Sequence, residues 1–85
     1  MDEVEIGKVT HFFDKAQVAV IGVQEDSLKL GDSIHVLGNS TNFNQKVASM
    51  QIEHKAVEQA EAGQEVAVKV EGKCHRNDTV FKVVE

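Results

Sequence analysis

Hydrophobic and polar residues alternate over short stretches of this chain, and a period of two predicts β-strands. In residues 65–70, Val66, Val68 and Val70 share one face and Lys69 occupies the other. The segment Val18–Val23 is apolar on both faces, which is typical of a central strand. Further strands are predicted over residues 4–13, 33–37, 43–53 and 79–84. The pattern indicates an all-β chain.

Glycine and asparagine mark the turns between these strands. Gly31 and Gly63 lie 32 positions apart, and each precedes a polar residue and a strand in two similar segments. A third turn is predicted at Asn77, because asparagine is the best non-glycine residue at positive φ. The repeated turn and strand predict a small closed antiparallel β-barrel of six to seven strands, with residues 1–85 as one domain. The residues expected to have structural roles in these turns are Gly31, Asp32, Gly63, Asn77 and Asp78.

A parity change interrupts the alternation of residues 43–53. Val47 is in phase with the first part of this segment, whereas Met50 and Ile52 follow the opposite parity. A shift of one residue moves the buried set to the other face, so we expect a β-bulge near residues 48 and 49.

The composition predicts an aliphatic core. Hydrophobic residues make up 41% of the chain, yet it has no Trp, no Tyr and four Phe. Valine is therefore the main core residue, and its stiff χ1 favours strands. The residues expected to dominate the core are Val9, Val18, Val20, Ile34, Val36, Val47, Ile52, Val66, Val68 and Val80.

Length and cysteine content limit the class of protein. With 85 residues and one cysteine, the chain has no internal disulfide framework, which fits a reducing compartment. No apolar run approaches the roughly 18 residues of a membrane span, and the acidic N-terminus does not resemble a signal peptide. The sequence predicts a cytoplasmic protein with no membrane partner.

The chain is acidic, and its charge is uneven. The net charge is −5, of which residues 1–40 carry −4 and residues 41–85 carry −1. Non-specific binding to a phosphate backbone needs a basic stripe, which this composition does not supply. A charged, soluble surface is the simplest reason for the acidic balance.

The sequence carries few residues in the arrangements typical of catalytic motifs. Cys74 and His75 are adjacent, but neighbours on an extended chain point in opposite directions, so we expect a semi-exposed loop thiol. The four histidines share no metal-ligand spacing, and no glycine-rich phosphate loop occurs. The sequence predicts a chain that is not an enzyme, with no metal, no cofactor and no bound nucleotide.

Four segments in order resemble the second domain of translational GTPases such as elongation factor Tu. The resemblance covers about residues 5–84, and its segments are 6–10 (IGKVT), 28–34 (LKLGDSI), 46–50 (KVASM) and 60–66 (AEAGQEV). The chain is more closely similar to the small translation elongation factor-like proteins. A similar barrel forms the C-terminus of collagenase-like peptidases, relatives of which act in tRNA uridine hydroxylation. The resemblance implies a barrel of the translation-factor domain 2 type, without the GTPase domain.

The same resemblance suggests where a binding surface would lie. In elongation factor Tu, the strand that matches residues 49–54 helps to line the pocket for the aminoacylated 3′ end of tRNA. The cationic residues of the second half of the chain are available to steer a partner. The resulting binding candidates are Gln51, Glu53, His54, Lys55, Lys73 and Arg76.

Three functions remain open from the sequence. The first is a non-catalytic module that docks onto a protein partner, such as a collagenase-like or tRNA-modifying chain. The alternative is an RNA-binding accessory of translation that recognises a tRNA 3′ end or a ribosomal element. An enzyme is the third, and Cys74-His75 is its sole support.

Overall fold

The computed structural model describes residues 2–84, and this part of the chain is all-β, as the alternation predicts. It contains no helix, so none of these residues belongs to a helix that could cross a membrane. The ten strands are β1 (Asp2–Phe13), β2 (Val18–Val23), β3 (Ser27–Lys29), β4 (Ser33–Leu37), β5 (Asn42–Lys46), β6 (Met50–Ile52), β7 (Lys55–Ala56), β8 (Gln59–Glu61), β9 (Glu65–Lys69) and β10 (Thr79–Val84).

Eight of these strands form one sheet, and two form a small second sheet. The order in the large sheet is β5-β4-β10-β1-β2-β9-β6-β7, and its neighbours are antiparallel. The pair β3-β8 places Leu28 opposite Ala60, and both residues are buried. The long strand β1 has register shifts between Glu5 and Gly7 and again after Val9, and such bulges bend a strand.

The large sheet curls until its two ends approach each other. β5 is at one end of the sheet and β6 is next to the other end, yet just residues 47–49 connect them. The side chain of Gln45 spans this approach, because it bonds to the backbone at Lys69 and Glu71. Within residues 2–84 no ladder pairs β5 with β7, so the sheet differs from a barrel closed by backbone hydrogen bonds.

The strand count also differs from the expected six to seven. Four of the ten strands have two or three residues each. Of these, β3 and β8 pair with each other to form the small sheet, and β6 joins β7 to β9 in the large sheet. The expected bulge near residues 48 and 49 is instead a connection outside the ladders. Val47 and Met50 are both buried on either side of it, and this accounts for the parity change.

The core agrees with the sequence except on one face of β2 and at β6. The expected core residues that are buried are Val9, Ile34, Val36, Val47, Val66, Val68 and Val80. Val18, Val20 and Ile52 are half-buried instead, and Ala19, Ile21 and Val23 fill the interior. Because β2 is apolar on both faces, alternation alone could not tell which face turns inward.

The pairing of β2 with β9 determines the face. Ile21 lies opposite Val66 and Ala19 lies opposite Val68, so these four side chains point into the core together.

Positive φ angles occur at the main turns. The φ of Gly31 is 89°, that of Gly63 is 94° and that of Asn77 is 74°. Asp32 accepts a hydrogen bond from the Lys29 N–H at 2.9 Å through its carboxylate. Similarly, Asp78 accepts one from the His75 N–H at 2.8 Å. Each aspartate therefore closes a tight turn by bonding to the backbone three residues earlier.

Candidate docking surface

An open groove of about 800 Å³ runs over the outer face of β2, β9 and β6. Its floor is apolar because the ladders align apolar outward-facing residues there. Val20 lies opposite Ala67, and Phe13 lies opposite Val18 at the β1 end. Phe13 is 55% exposed, although it is a large aromatic side chain. Ile52 completes the floor from β6.

Polar residues form the walls of the groove. The turn between β6 and β7 contributes Glu53 and His54. Gln64, just before β9, and Glu65, the first residue of β9, form another part of the walls. The lining residues that the structure describes include these two glutamates and no lysine or arginine. The groove therefore combines an apolar floor with a negative end.

The turn between β6 and β7 has an unusual backbone. Glu53 has a φ of 51° and His54 a φ of 66°, between the paired residues Ile52 and Lys55. A two-residue hairpin loop with both φ angles positive is a type I′ turn, which favours Asn-Gly. Left-handed backbone costs roughly 1–2 kcal/mol per residue when a Cβ is present. The Glu53-His54 sequence therefore makes this hairpin less stable than the same turn with Asn-Gly would be.

The structure divides the six sequence-based binding candidates between separate surfaces. Gln51, Glu53 and His54 line the apolar groove, whereas Lys55 is exposed on β7 and is not part of the lining. Lys73 and Arg76 line a different, smaller depression between the end of β1 and the loop before β10. The structure therefore brings Gln51, Glu53 and His54 together in one groove and places the other three candidates outside it.

Sequence reasoning missed the floor of the groove. Phe13, Val18, Val20 and Ala67 supply its apolar surface, and none of them was a binding candidate. The available signal was the apolar character of β2 on both faces, since one of those faces had to lie outside the core.

The Cys74-His75 pair lacks a reactive thiol. Cys74 is 2% exposed, and not semi-exposed as expected, because its loop packs it into the core. Burial, with a smaller contribution from the Asp78 carboxylate, raises the pKa of the thiol to about 11. The His75 ring bonds instead to the Thr41 hydroxyl through Nδ1, at 3.0 Å. A thiol that stays protonated at neutral pH is a poor nucleophile.

A separate polar cluster joins β1, β4 and β5. Nδ1 of His35 lies 2.9 Å from Oε1 of Glu3, and Nε2 lies 2.6 Å from Oδ1 of Asn42. Both partners accept hydrogen bonds, so they favour the doubly protonated imidazolium. The bond to Glu3, with a smaller contribution from Asn42, raises the pKa of His35 above its usual 6.5. Residues 2–84 contain no group of three or more side chains suited to hold a metal ion.

This chain is similar in sequence to one part of a larger protein. It is 40% identical over 84 residues to an uncharacterised protease of Methanocaldococcus jannaschii. The match covers 98% of this chain and 20% of the relative, so the chain spans about a fifth of that protein's length. A scan against protein-family models finds no match.

Solved structures show the same fold in a domain of similar size. The crystal structure of the C-terminal domain of a Geobacillus thermoleovorans protein, classed with the U32 peptidases, matches with a TM-score of 0.86 and 20% identity. The match covers 93% of this chain and 91% of that one. The selenomethionine variant of that domain matches with a TM-score of 0.83 and 19% identity, over 89% and 95% of the two chains. At this identity the likeness establishes the fold alone.

Proposed function

We propose that this chain is a non-catalytic accessory module that docks onto the body of a collagenase-like peptidase of the U32 type. The observation that carries the proposal is the groove over β2, β9 and β6, an apolar surface on the outside of a curled sheet. Apolar side chains of this kind in a concave site supply binding energy when a partner removes them from water.

The comparisons support a peptidase body as the occupant. About four fifths of the archaeal relative lies outside the match with this chain. The Geobacillus domain of the same fold is the C-terminal part of a longer peptidase. A module of this size therefore has a large partner surface available, in the same chain or as a separate protein.

The proposal leaves catalysis to the partner. The buried Cys74 thiol is protonated at neutral pH, and the groove has no cysteine or serine among its lining residues in the described chain. The comparisons do not support the translation-factor part of the sequence-based expectation, and they give no support to its RNA-binding alternative. The curled sheet serves in this account as a rigid scaffold for one recognition face.

Calorimetric titration against the unmatched part of the Methanocaldococcus relative tests the proposal. We expect saturable binding by the wild-type chain, and we expect Val20→Ser to weaken it by about tenfold or more, as for a central interface residue. Val4→Ser is the matched control, because Val4 is 38% exposed on β1 and lies outside the groove. We expect its affinity to stay within about twofold of wild type, since a residue outside an interface adds little.

Two results would overturn the proposal. The first is the absence of binding by the wild-type chain, and the second is an equal loss of affinity in both variants. Circular dichroism checks that Val20→Ser remains folded. Phe13→Ser provides a second groove variant, and it removes a side chain that is already 55% exposed.

A further inference from the structure

We infer that the groove binds a partner segment in which an apolar side chain stands next to a lysine or arginine. This inference rests on the proposed function, because it names the chemistry of the peptidase segment that the groove accepts. The apolar part of the partner segment follows from the residues of the groove floor, and its charged part follows from the residues of the walls.

The floor determines the apolar part of the partner. Val18, Val20 and Ile52 are half-buried without a covering element, and Phe13 stands exposed beside them. Valine and isoleucine side chains offer no hydrogen-bonding groups, so a polar side chain placed on them would lose its water without compensation. An aliphatic or aromatic side chain is the group that gains from this contact.

The walls determine the charged part. Glu53 lies in the turn between β6 and β7 and Glu65 begins β9, yet both line the same groove, and the described lining holds no lysine or arginine to neutralise them. A cation beside these carboxylates is favoured, and an anion is repelled. The net charge of −5 also attracts a positively charged partner over a longer range.

The opposite end of the groove gives the segment a direction. Lys69 does not line the groove, but it lies opposite Val18 in the ladder of β2 with β9, on the same outward face, so its positive charge stands just beyond this end. A partner cation is therefore repelled at the Val18 end and attracted at the Glu53 end. The apolar side chain of the partner segment sits over Val18 and Val20, and the basic side chain points toward the hairpin of β6 and β7.

Three small probes separate the two parts of the inference: N-acetyl-phenylalanyl-arginine amide, N-acetyl-phenylalanyl-glutamate amide and N-acetyl-seryl-arginine amide. Binding is followed by backbone amide chemical shifts of the whole chain. We expect the phenylalanyl-arginine probe to bind about threefold or more tightly than either of the others, with shifts at the groove residues. The preference over the glutamate probe should shrink in 1 M NaCl, where charges about 3 Å or more apart are screened.

Single charge-neutralising variants test the walls. We expect Glu53→Gln and Glu65→Gln each to reduce the preference for arginine over glutamate. Glu25→Gln is the matched control, because Glu25 is an exposed glutamate in the turn after β2 and outside the groove. Equal or tighter binding of the glutamate probe, or shifts confined to residues outside the groove, would overturn the inference.

The inference and the proposed function can fail separately. If Val20→Ser abolishes docking to the peptidase body while the probes show no charge preference, the inference is wrong and the proposed function stands. If the body does not bind to the wild-type chain, the proposed function is wrong whatever the probes show.

Discussion

The side chain of Gln45 accepts a hydrogen bond from the Glu71 N–H at 2.7 Å, across 26 residues of sequence. Its amide nitrogen also donates to the Lys69 carbonyl at 3.0 Å. Since Gln45 belongs to β5 and Lys69 ends β9, one side chain links two strands that lie far apart in the order of the sheet. Gln45 thus supplies hydrogen bonds where the backbone ladders do not continue.

We expect Gln45→Ala to loosen this end of the sheet. Loss of the two hydrogen bonds should lower the free energy of unfolding by about 1–2 kcal/mol and speed amide exchange at Glu71. Urea denaturation and hydrogen exchange measure the two effects. Gln24→Ala is the control, because Gln24 is exposed in a turn. An equal effect of both substitutions would contradict the role given to Gln45.

The two positive-φ glycines form a natural pair of variants. Gly31 and Gly63 have φ angles of 89° and 94°, and an added Cβ would meet no atom within 4 Å at either position. The cost of alanine is therefore backbone strain alone, about 1 kcal/mol at each site, which lowers Tm by roughly 4–8 °C in a domain of this size. Differential scanning calorimetry measures the loss.

Gly63 also lines the groove, and Gly31 does not. We expect both alanine variants to keep the affinity for the peptidase body. A selective loss of binding in Gly63→Ala would show instead that the partner approaches the backbone at this position.

The hairpin of β6 and β7 predicts a conflict between stability and binding. Replacing Glu53 and His54 by Asn and Gly supplies the residues that a type I′ turn favours, so we expect a gain of about 1 kcal/mol in the free energy of unfolding. The same change removes two side chains from the groove and should weaken docking. Chemical denaturation and calorimetric titration measure both.

Asn77→Gly is the control for this hairpin. Asn77 has a φ of 74° and lies in the turn before β10, away from the groove. We expect it to relieve strain without a change in docking. A loss of affinity in this control as large as that in the hairpin variant would contradict a local role for Glu53 and His54.

The Glu3–His35 contact predicts a pH dependence of stability. The pKa of His35 is raised in the folded chain, chiefly by the hydrogen bond to Glu3. The protonated ring therefore favours folding, and its contribution is complete below the usual pKa of 6.5 and lost as the pH rises through the raised value. Because Glu3 is partly exposed to solvent, the effect is at most about 1 kcal/mol.

Urea denaturation of wild type and Glu3→Gln, from pH 5 to pH 9, measures this contribution. At low pH we expect the wild type to have a higher free energy of unfolding than Glu3→Gln. This difference between the two proteins should shrink as the pH rises. The difference between wild type and the control Glu25→Gln should not change with pH in this way. A difference that stays constant over this range would rule out the coupling.

Local chemistry explains which parts of the fold could be predicted. The glycines at residues 31 and 63 predict a positive φ at these positions, because few other residues adopt a positive φ at low cost in free energy. The sequence could not show which face of β2 points into the core, because Val20 and Ile21 are equally suited to a core position. Only the pairing with β9 distinguishes them. Glu53 and His54 are not the Asn-Gly pair that is typical of a type I′ turn, so the sequence did not predict this hairpin.

The candidate site was partly predictable for the same reason. Gln51, Glu53 and His54 are close in sequence and share one wall of the groove. Lys73 and Arg76 were grouped with them by charge alone, and charge carries no information about which strands become neighbours. The apolar character of β2 on both faces indicated an outer apolar face, but which residues form the floor depends on long-range pairing, which local patterns do not encode.

Hydrogen exchange of this chain, free and bound to the unmatched part of the Methanocaldococcus relative, tests the central claim most directly. We expect slower exchange on binding at Phe13, in β2, along residues 51–54 and at the start of β9. Slower exchange confined to the loop of residues 71–78 and the turn after β4, with no change around the groove, would contradict it.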